Sequence, residues 1–205
     1  MITAYTKYSK VSCKFIFVLF SFIWLSCAQT KNKNPHIEIQ TRVGDIEIEL
    51  YSYKAPKTVG AFLANVDAEI YKNSTFYRIL SRDNQPSDAE KTELIQGGIW
   101  NSKVGKSIQR PNIPHETTQQ TGILHKDGVI SLARLEPGTA TTEFFICIGD
   151  QPGLDYGSEN NPDKQGYAAF GKVVKGMDIV RTIYNRPEYE QHFDPPIDIY
   201  DIVRK

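Results

Sequence analysis

Three cysteines in 205 residues are too few for a disulfide framework. Neither charge is in excess: 24 Lys and Arg stand against 24 Asp and Glu, which excludes a strongly basic chain built for nucleic acid. There is no Gly-rich phosphate loop, no nucleophile elbow and no Cys-x-x-Cys pair, so nothing points to nucleotide binding, acyl transfer or thiol redox chemistry. The four histidines, His36, His115, His125 and His192, lack the short spacing of a helical zinc site. Only His115 and His125 are placed to meet across a loop, and all four read as solvated loop residues. No metal and no cofactor is implied. Long apolar runs are missing too: the longest, residues 15–25, falls short of the roughly 20 residues of a spanning helix.

What is present begins with an address. Lys7, Lys10 and Lys14, with no acidic residue among them, precede that apolar run, and Ser26-Cys27 follows it. The pattern predicts a secretory leader over residues 1–26. Leu25-Ser26-Cys27 resembles a bacterial lipobox, with Trp24 where such boxes usually carry Leu. That resemblance implies cleavage before Cys27, lipidation of its thiol and a tether over 27–36, with the protein exported and held on the envelope at the periplasmic face or cell surface. Each buried methylene of an acyl chain contributes about 0.8 kcal/mol, so several chains anchor durably where one does not. The alternative is an ordinary cleaved leader with Cys27 incidental. Without the leader, 21 basic residues face 24 acidic ones, a net charge of −3.

Residues 37–205 read as one β-rich domain. Ile37 and Ile39 alternate with Glu38 and Gln40; after Val43-Gly44-Asp45 the alternation resumes as Ile46, Ile48 and Leu50 against Glu47 and Glu49. That is a half-buried hairpin. Pro56 opens a stretch with apolar residues at 59, 62, 63, 66 and 70, the spacing of an amphipathic helix. Further strands are expected over 75–80, 94–96, 128–133, 144–148, 168–174 and 197–203, with a second helix over 177–184. Many short strands with two isolated helices suggest an antiparallel sheet closed on itself. Cys147, in Phe144-Phe145-Ile146-Cys147-Ile148, reads as a core residue. Three polar stretches, 81–93, 101–126 and 150–166, are long enough to be functional loops covering one side or end of the barrel. No heptad and no bare apolar surface run argues against a monomer.

One ordered set of motifs remains: Phe76-Tyr77-Arg78-Ile79, Ile95-Gln96-Gly97-Gly98, Gly128-Val129-Ile130-Ser131-Leu132-Ala133, Glu143-Phe144-Phe145-Ile146, and Phe170-Gly171-Lys172-Val173 before Gly176-Met177-Asp178. In that order the chain resembles the cyclophilin-type peptidyl-prolyl cis-trans isomerases over residues 37–205. The resemblance implies a mainly β fold, a closed eight-stranded antiparallel barrel capped by two α-helices. It implies an enzyme, a rotamase acting on proline-containing polypeptides in protein folding. By matched position it makes Arg78 the catalytic arginine and Gln96 the glutamine that orients it and bonds the substrate backbone. Leu94, Phe145 and Leu154 match walls of the proline pocket, Tyr167 stands where many members have His, and Ala133 and Arg134 match the backbone segment beside the substrate.

The departures are Glu93 where the pocket usually has Phe, Glu143 in place of Gln, Arg134 in place of Asn, and Gly153 at the Trp of cyclosporin-sensitive members. Glu143 is expected to pair with Arg78 or Arg134. Loss of an aromatic wall is expected to reduce activity without abolishing it. The other reading is a module that holds proline-containing segments in the same groove without useful turnover.

Overall fold

Burial alternates along the first two strands, β1 (His36–Thr41) and β2 (Gly44–Leu50). Ile37 and Ile39 pair with Ile48 and Ile46 across the hairpin and are fully buried, while the glutamates between them face out. The Thr41 hydroxyl closes the turn, accepting from the N–H groups of Val43 and Gly44 and donating to the Gly44 carbonyl. The structure is a computed structural model that describes residues 33–88, 90–102 and 108–205, together with Met1 and Thr3. The chain divides into two units, Met1–Asn32 and Lys33–Lys205. Cys27 and nearly all of the expected leader lie outside the described residues. Among the described residues, no helix is long and apolar enough to cross a membrane.

The remaining strands are β3 (Ser74–Leu80), β4 (Leu94–Gly98), β5 (Val129–Leu132), β6 (Phe144–Cys147), β7 (Ala168–Lys175), β8 (Glu188–Tyr189) and β9 (His192–Arg204). Their order is β1-β2-β7-β5-β6-β4-β3-β9, and β9 pairs back onto β1, so eight of the described strands close an antiparallel barrel. Closure leaves no free edge in that ring. The short β8 hairpins onto β9 outside it. β9 begins at His192, before the expected 197, because Asp194-Pro195-Pro196 hides a strand that pairs with β3 and β8.

Helix α1 (Pro56–Asp67) buries Val59, Phe62, Leu63 and Val66 and packs on β7 and β9. The Phe62 ring lies 5.1, 5.9 and 5.0 Å from the rings of Tyr71, Phe144 and Phe170, the aromatic centre of the core. α1 has no cap of its own. Instead, Glu116 reaches in from the long connection: its carboxylate accepts from the N–H of Thr58 at 2.7 Å, the Thr58 hydroxyl at 2.7 Å and the N–H of Lys57 at 3.3 Å. A carboxylate there satisfies orphan donors and meets the positive helix end. Helix α3 (Met177–Tyr184) buries Val180 and Ile183 and packs on β2 and β4. Its N-cap is Gly176, with φ +88° and Asp45 O 2.5 Å from where a Cβ would lie, so only glycine fits. A third helix, the single turn α2 (Thr118–Thr121), sits inside the long loop and is held by a Thr117/Gln120 capping box; four polar residues carry no periodicity that would reveal it.

Every residue of β6 is buried, so both faces of that strand are covered. Phe144 and Ile146 join the barrel core. Phe145 and Cys147 join Leu94 and Leu154 in a second, smaller cluster, against which Leu80, Ala133 and Tyr167 pack. That outer cluster positions the site. Cys147 is completely buried, as expected of a core residue, and burial pushes its thiol to a higher pKa.

Candidate active site

A strand normally sends successive side chains to opposite faces. β3 breaks this rule: its pairing with both β4 and β9 shifts register between Phe76 and Arg78. The bulge lets Tyr77 and Arg78 both face one cavity. The cavity is about 830 Å³. The outer cluster forms an apolar slot in it, from Leu94, Phe145, Leu154 and Tyr167, with Leu80 beside them. Arg78, Gln96, Ala133 and Arg134 also line it, so all the residues that the sequence assigned to the groove meet in one place.

Arg78 and Gln96 are direct cross-strand partners. Arg78 Nη1 donates to Gln96 Oε1 at 3.3 Å, and Nη2 donates to Gln191 Oε1 at 3.0 Å. Gln191 sits in the β8–β9 turn with φ +66°. Its backbone accepts from Ile79 N at 2.8 Å and its amide donates to Asn84 O at 3.0 Å, so the guanidinium is braced on one side by β4 and on the other by the β8–β9 turn. No sequence signal marks Gln191; it follows a turn far along the chain and acts only through β9's register beside β3.

Glu143 does not pair with Arg78 or Arg134. Its carboxylate accepts from the Tyr77 hydroxyl at 2.7 Å, from the N–H groups of Ile99 and Trp100 at 3.0 and 3.2 Å, and from the Thr142 hydroxyl at 3.1 Å. Burial raises its pKa above the ordinary glutamate value, although these hydrogen bonds act in the other direction. Gly98 makes the room: a side chain there would collide with the carboxylate. Arg134 is also spoken for. Its side chain, 2% exposed, forms a two-pronged pair with Asp163 at 2.7 and 2.9 Å and donates to the Gly166 carbonyl. Its Cζ lies 5.2 Å from the Tyr167 ring centroid. Arg134 thus holds the far wall of the slot, fastening the 150–166 loop beneath Tyr167. Tyr167 in turn meets Phe145 edge-on at 5.3 Å.

Glu93 does not intrude into the slot. Its carboxylate accepts from Arg82 Nε and from the Tyr184 hydroxyl, both at 2.9 Å. At Gly153, Asn160 occupies the space next to the backbone and donates to Thr92 Oγ1 at 2.9 Å, tying the 81–93 and 150–166 loops together.

The histidine expectation needs correcting. His125 is buried, with Nδ1 2.7 Å from Asp155 Oδ1 and Nε2 3.1 Å from Ser131 Oγ. The three resemble a hydrolytic triad in composition, but Ser131 is wholly inaccessible. Their role is support: the His125 ring stacks on Phe145, centroids 6.0 Å apart. His115 is half-buried, its Nε2 3.2 Å from the Gln165 carbonyl, and burial lowers its pKa. The buried Ser131 on β5 and the half-buried Asp155 in the 150–166 loop separate His125 from a solvated residue, and nothing in the sequence beside His125 shows either contact.

Comparison with known proteins agrees with this geometry. The family described as "Cyclophilin type peptidyl-prolyl cis-trans isomerase/CLD" matches residues 36–204. A peptidyl-prolyl cis-trans isomerase of Acinetobacter baylyi is 32% identical over 166 residues, 80% of this chain and 80% of that protein. Peptidyl-prolyl cis-trans isomerase B of Escherichia coli is 30% identical over 148 residues, 72% of this chain and 82% of its own. Among solved structures, a Cryptosporidium parvum cyclophilin-type isomerase, 25% identical, superposes with a TM-score of 0.66 over 84% of this chain and 98% of its own. A second structure of the same isomerase, obtained in the presence of the dipeptide Ala-Pro, gives 0.65.

Proposed function

This chain belongs to the cyclophilin-type peptidyl-prolyl cis-trans isomerases, and from that premise we propose that Arg78 drives rotation about X–Pro bonds bound in the slot, without any covalent step. Breaking amide resonance costs about 18–20 kcal/mol. The planar cis and trans ends lie within about 1 kcal/mol for X–Pro, so only the barrier needs lowering. As the imide twists, its nitrogen loses conjugation and its lone pair becomes a hydrogen-bond acceptor. A guanidinium aimed there favours the twisted form over both planar ones, which is the differential binding that catalysis requires. Phe145, Leu94 and Leu154 hold the proline ring, with Tyr167 closing one side, and take the imide out of water. Gln96 and the Ala133–Arg134 backbone bond the substrate chain.

A single observation carries this reading. Arg78 stands at the edge of an apolar slot braced by two neutral amides. Among the described residues it has no carboxylate partner, and it lines the cavity. Clients are proposed to be exported proteins, on the strength of Lys7, Lys10, Lys14, the apolar run and Cys27. Isomerisation of a proline peptide by wild type and Arg78→Ala tests the mechanism: kcat/KM is expected to fall by about 10²–10³-fold, the loss of one donor to a developing charge. Equal slow rates with binding retained would make the domain a holder of proline segments. For the anchor, Cys27→Ala is expected to move the protein from the membrane to the soluble fraction, and unchanged fractionation refutes it.

A further inference from the structure

The side chains behind Arg78 form a hydrogen-bond chain that runs one way. A guanidinium can only donate, so Gln96 must present Oε1 to Arg78. Its Nε2 then points the other way and donates to the Tyr77 hydroxyl at 2.7 Å. With its oxygen occupied by that amide, the Tyr77 hydroxyl directs its own proton to Glu143, 2.7 Å away. An ionised carboxylate can only accept, and Glu143 also accepts from two backbone N–H groups, which fix it in place. The direction is therefore set at both ends, by a cation and by an anion.

We propose that Glu143 and Tyr77 are positioning residues: through Gln96 they lock the amide rotamer that orients Arg78, and the lock requires Glu143 to be ionised. This rests on the role proposed above for Arg78. A protonated carboxyl, or a glutamine, would offer a donor of its own to the Tyr77 oxygen in competition with the Gln96 amide. The chain would then lose its direction and Gln96 would be free to turn over. Burial places Glu143's protonation at a pH above the ordinary carboxylate range. The ionisable groups closest to it are Tyr77 and the buried Tyr71, both held neutral by pKa values pushed up by burial. Arg78 lies at the far end of the chain. Arg134, Tyr167, His192, Glu90 and Glu159, the other titratable groups lining the cavity, stay in place when Glu143 is changed.

The test is proline-peptide isomerisation from about pH 4 to about pH 8 with wild type, Tyr77→Phe, Glu143→Gln and Arg78→Ala. Tyr77→Phe and Glu143→Gln are each expected to lower kcat about tenfold, the worth of one hydrogen bond to the orienting amide, with KM nearly unchanged. Wild-type kcat is expected to fall in acid, and Glu143→Gln to lack that limb. Wild-type kcat in both variants, or an acid limb that persists in Glu143→Gln, overturns the proposal. If Tyr77→Phe folds poorly, the NMR signals of the Arg78 Nη protons in wild type decide instead. Slow guanidinium rotation above the limb and fast rotation below it supports the lock, and no change across the limb refutes it. Arg78→Ala separates the two readings: if it loses activity while the other variants keep theirs, only the lock fails, and if it keeps activity the Arg78 mechanism itself fails.

Discussion

Gln191 and Arg78 lie 113 positions apart in sequence and share a 3.0 Å hydrogen bond, the amide oxygen of one bracing the guanidinium of the other. Without it, Nη2 loses a partner and the cation is held from the Gln96 side alone. Gln191→Ala is therefore expected to lower kcat by roughly ten- to a hundredfold, since hydrogen bonds to charged groups contribute about 1.5–3 kcal/mol. Peptide affinity, set by the apolar slot, is expected to change less. Steady-state kinetics beside a binding isotherm check both halves.

The buried Glu143 carboxyl makes stability and activity move in opposite directions with pH. Its folded pKa is raised, so its contribution to stability is fully present below the ordinary carboxylate range and is lost as pH rises through the raised value. Glu143→Gln is expected to remove that pH-dependent loss, so that its unfolding free energy varies less with pH than that of wild type. Urea unfolding at a series of pH values measures it. A variant whose unfolding free energy kept the wild-type slope with pH would contradict this account.

Asp163 has the opposite sign. Its pairing with Arg134, helped by the N–H of Gln165, holds its carboxyl below the usual aspartate value. The stabilisation is present above the unfolded pKa and disappears as pH falls through the depressed one. Asp163→Asn leaves the buried Arg134 guanidinium with carbonyl partners only. The expected loss is roughly 1–3 kcal/mol, below the cost of breaking a fully buried pair because Asp163 is partly exposed. Affinity for proline peptides is expected to fall as well, since the loop beneath Tyr167 loosens.

Glu116→Ala removes the cap of α1 and frees the donors of Lys57 and Thr58. A loss of about 1–3 kcal/mol in unfolding free energy is expected. Glu116 is outside the groove, so kcat/KM measured well below the melting temperature should not move. A change in kcat/KM would show that α1 and the slot are coupled.

Much of the fold was legible because alternation and helical spacing are local. Ile37, Ile39, Ile46 and Ile48 announce a hairpin whatever surrounds them, and Val59, Phe62, Leu63 and Val66 announce a helix face. The groove was legible residue by residue only through the resemblance, since Leu94 and Phe145 taken alone read as core. They are indeed buried, but in an outer cluster that β6 makes by burying both of its faces.

The sequence by itself determined the β1–β2 hairpin, the two longer helices and the residue types available to the groove, because each depends on neighbours within a turn or a strand. Tertiary structure alone decided which polar groups met. The β3 bulge turned Tyr77 and Arg78 to the same side. The strand order brought Glu143 to Tyr77 and not to either arginine, and barrel closure set Gln191 behind Arg78. It also buried His125 between Asp155 and Ser131. Hydrogen-bond partners are a matter of a few tenths of an ångström between groups far apart along the chain, and no local pattern in sequence encodes that.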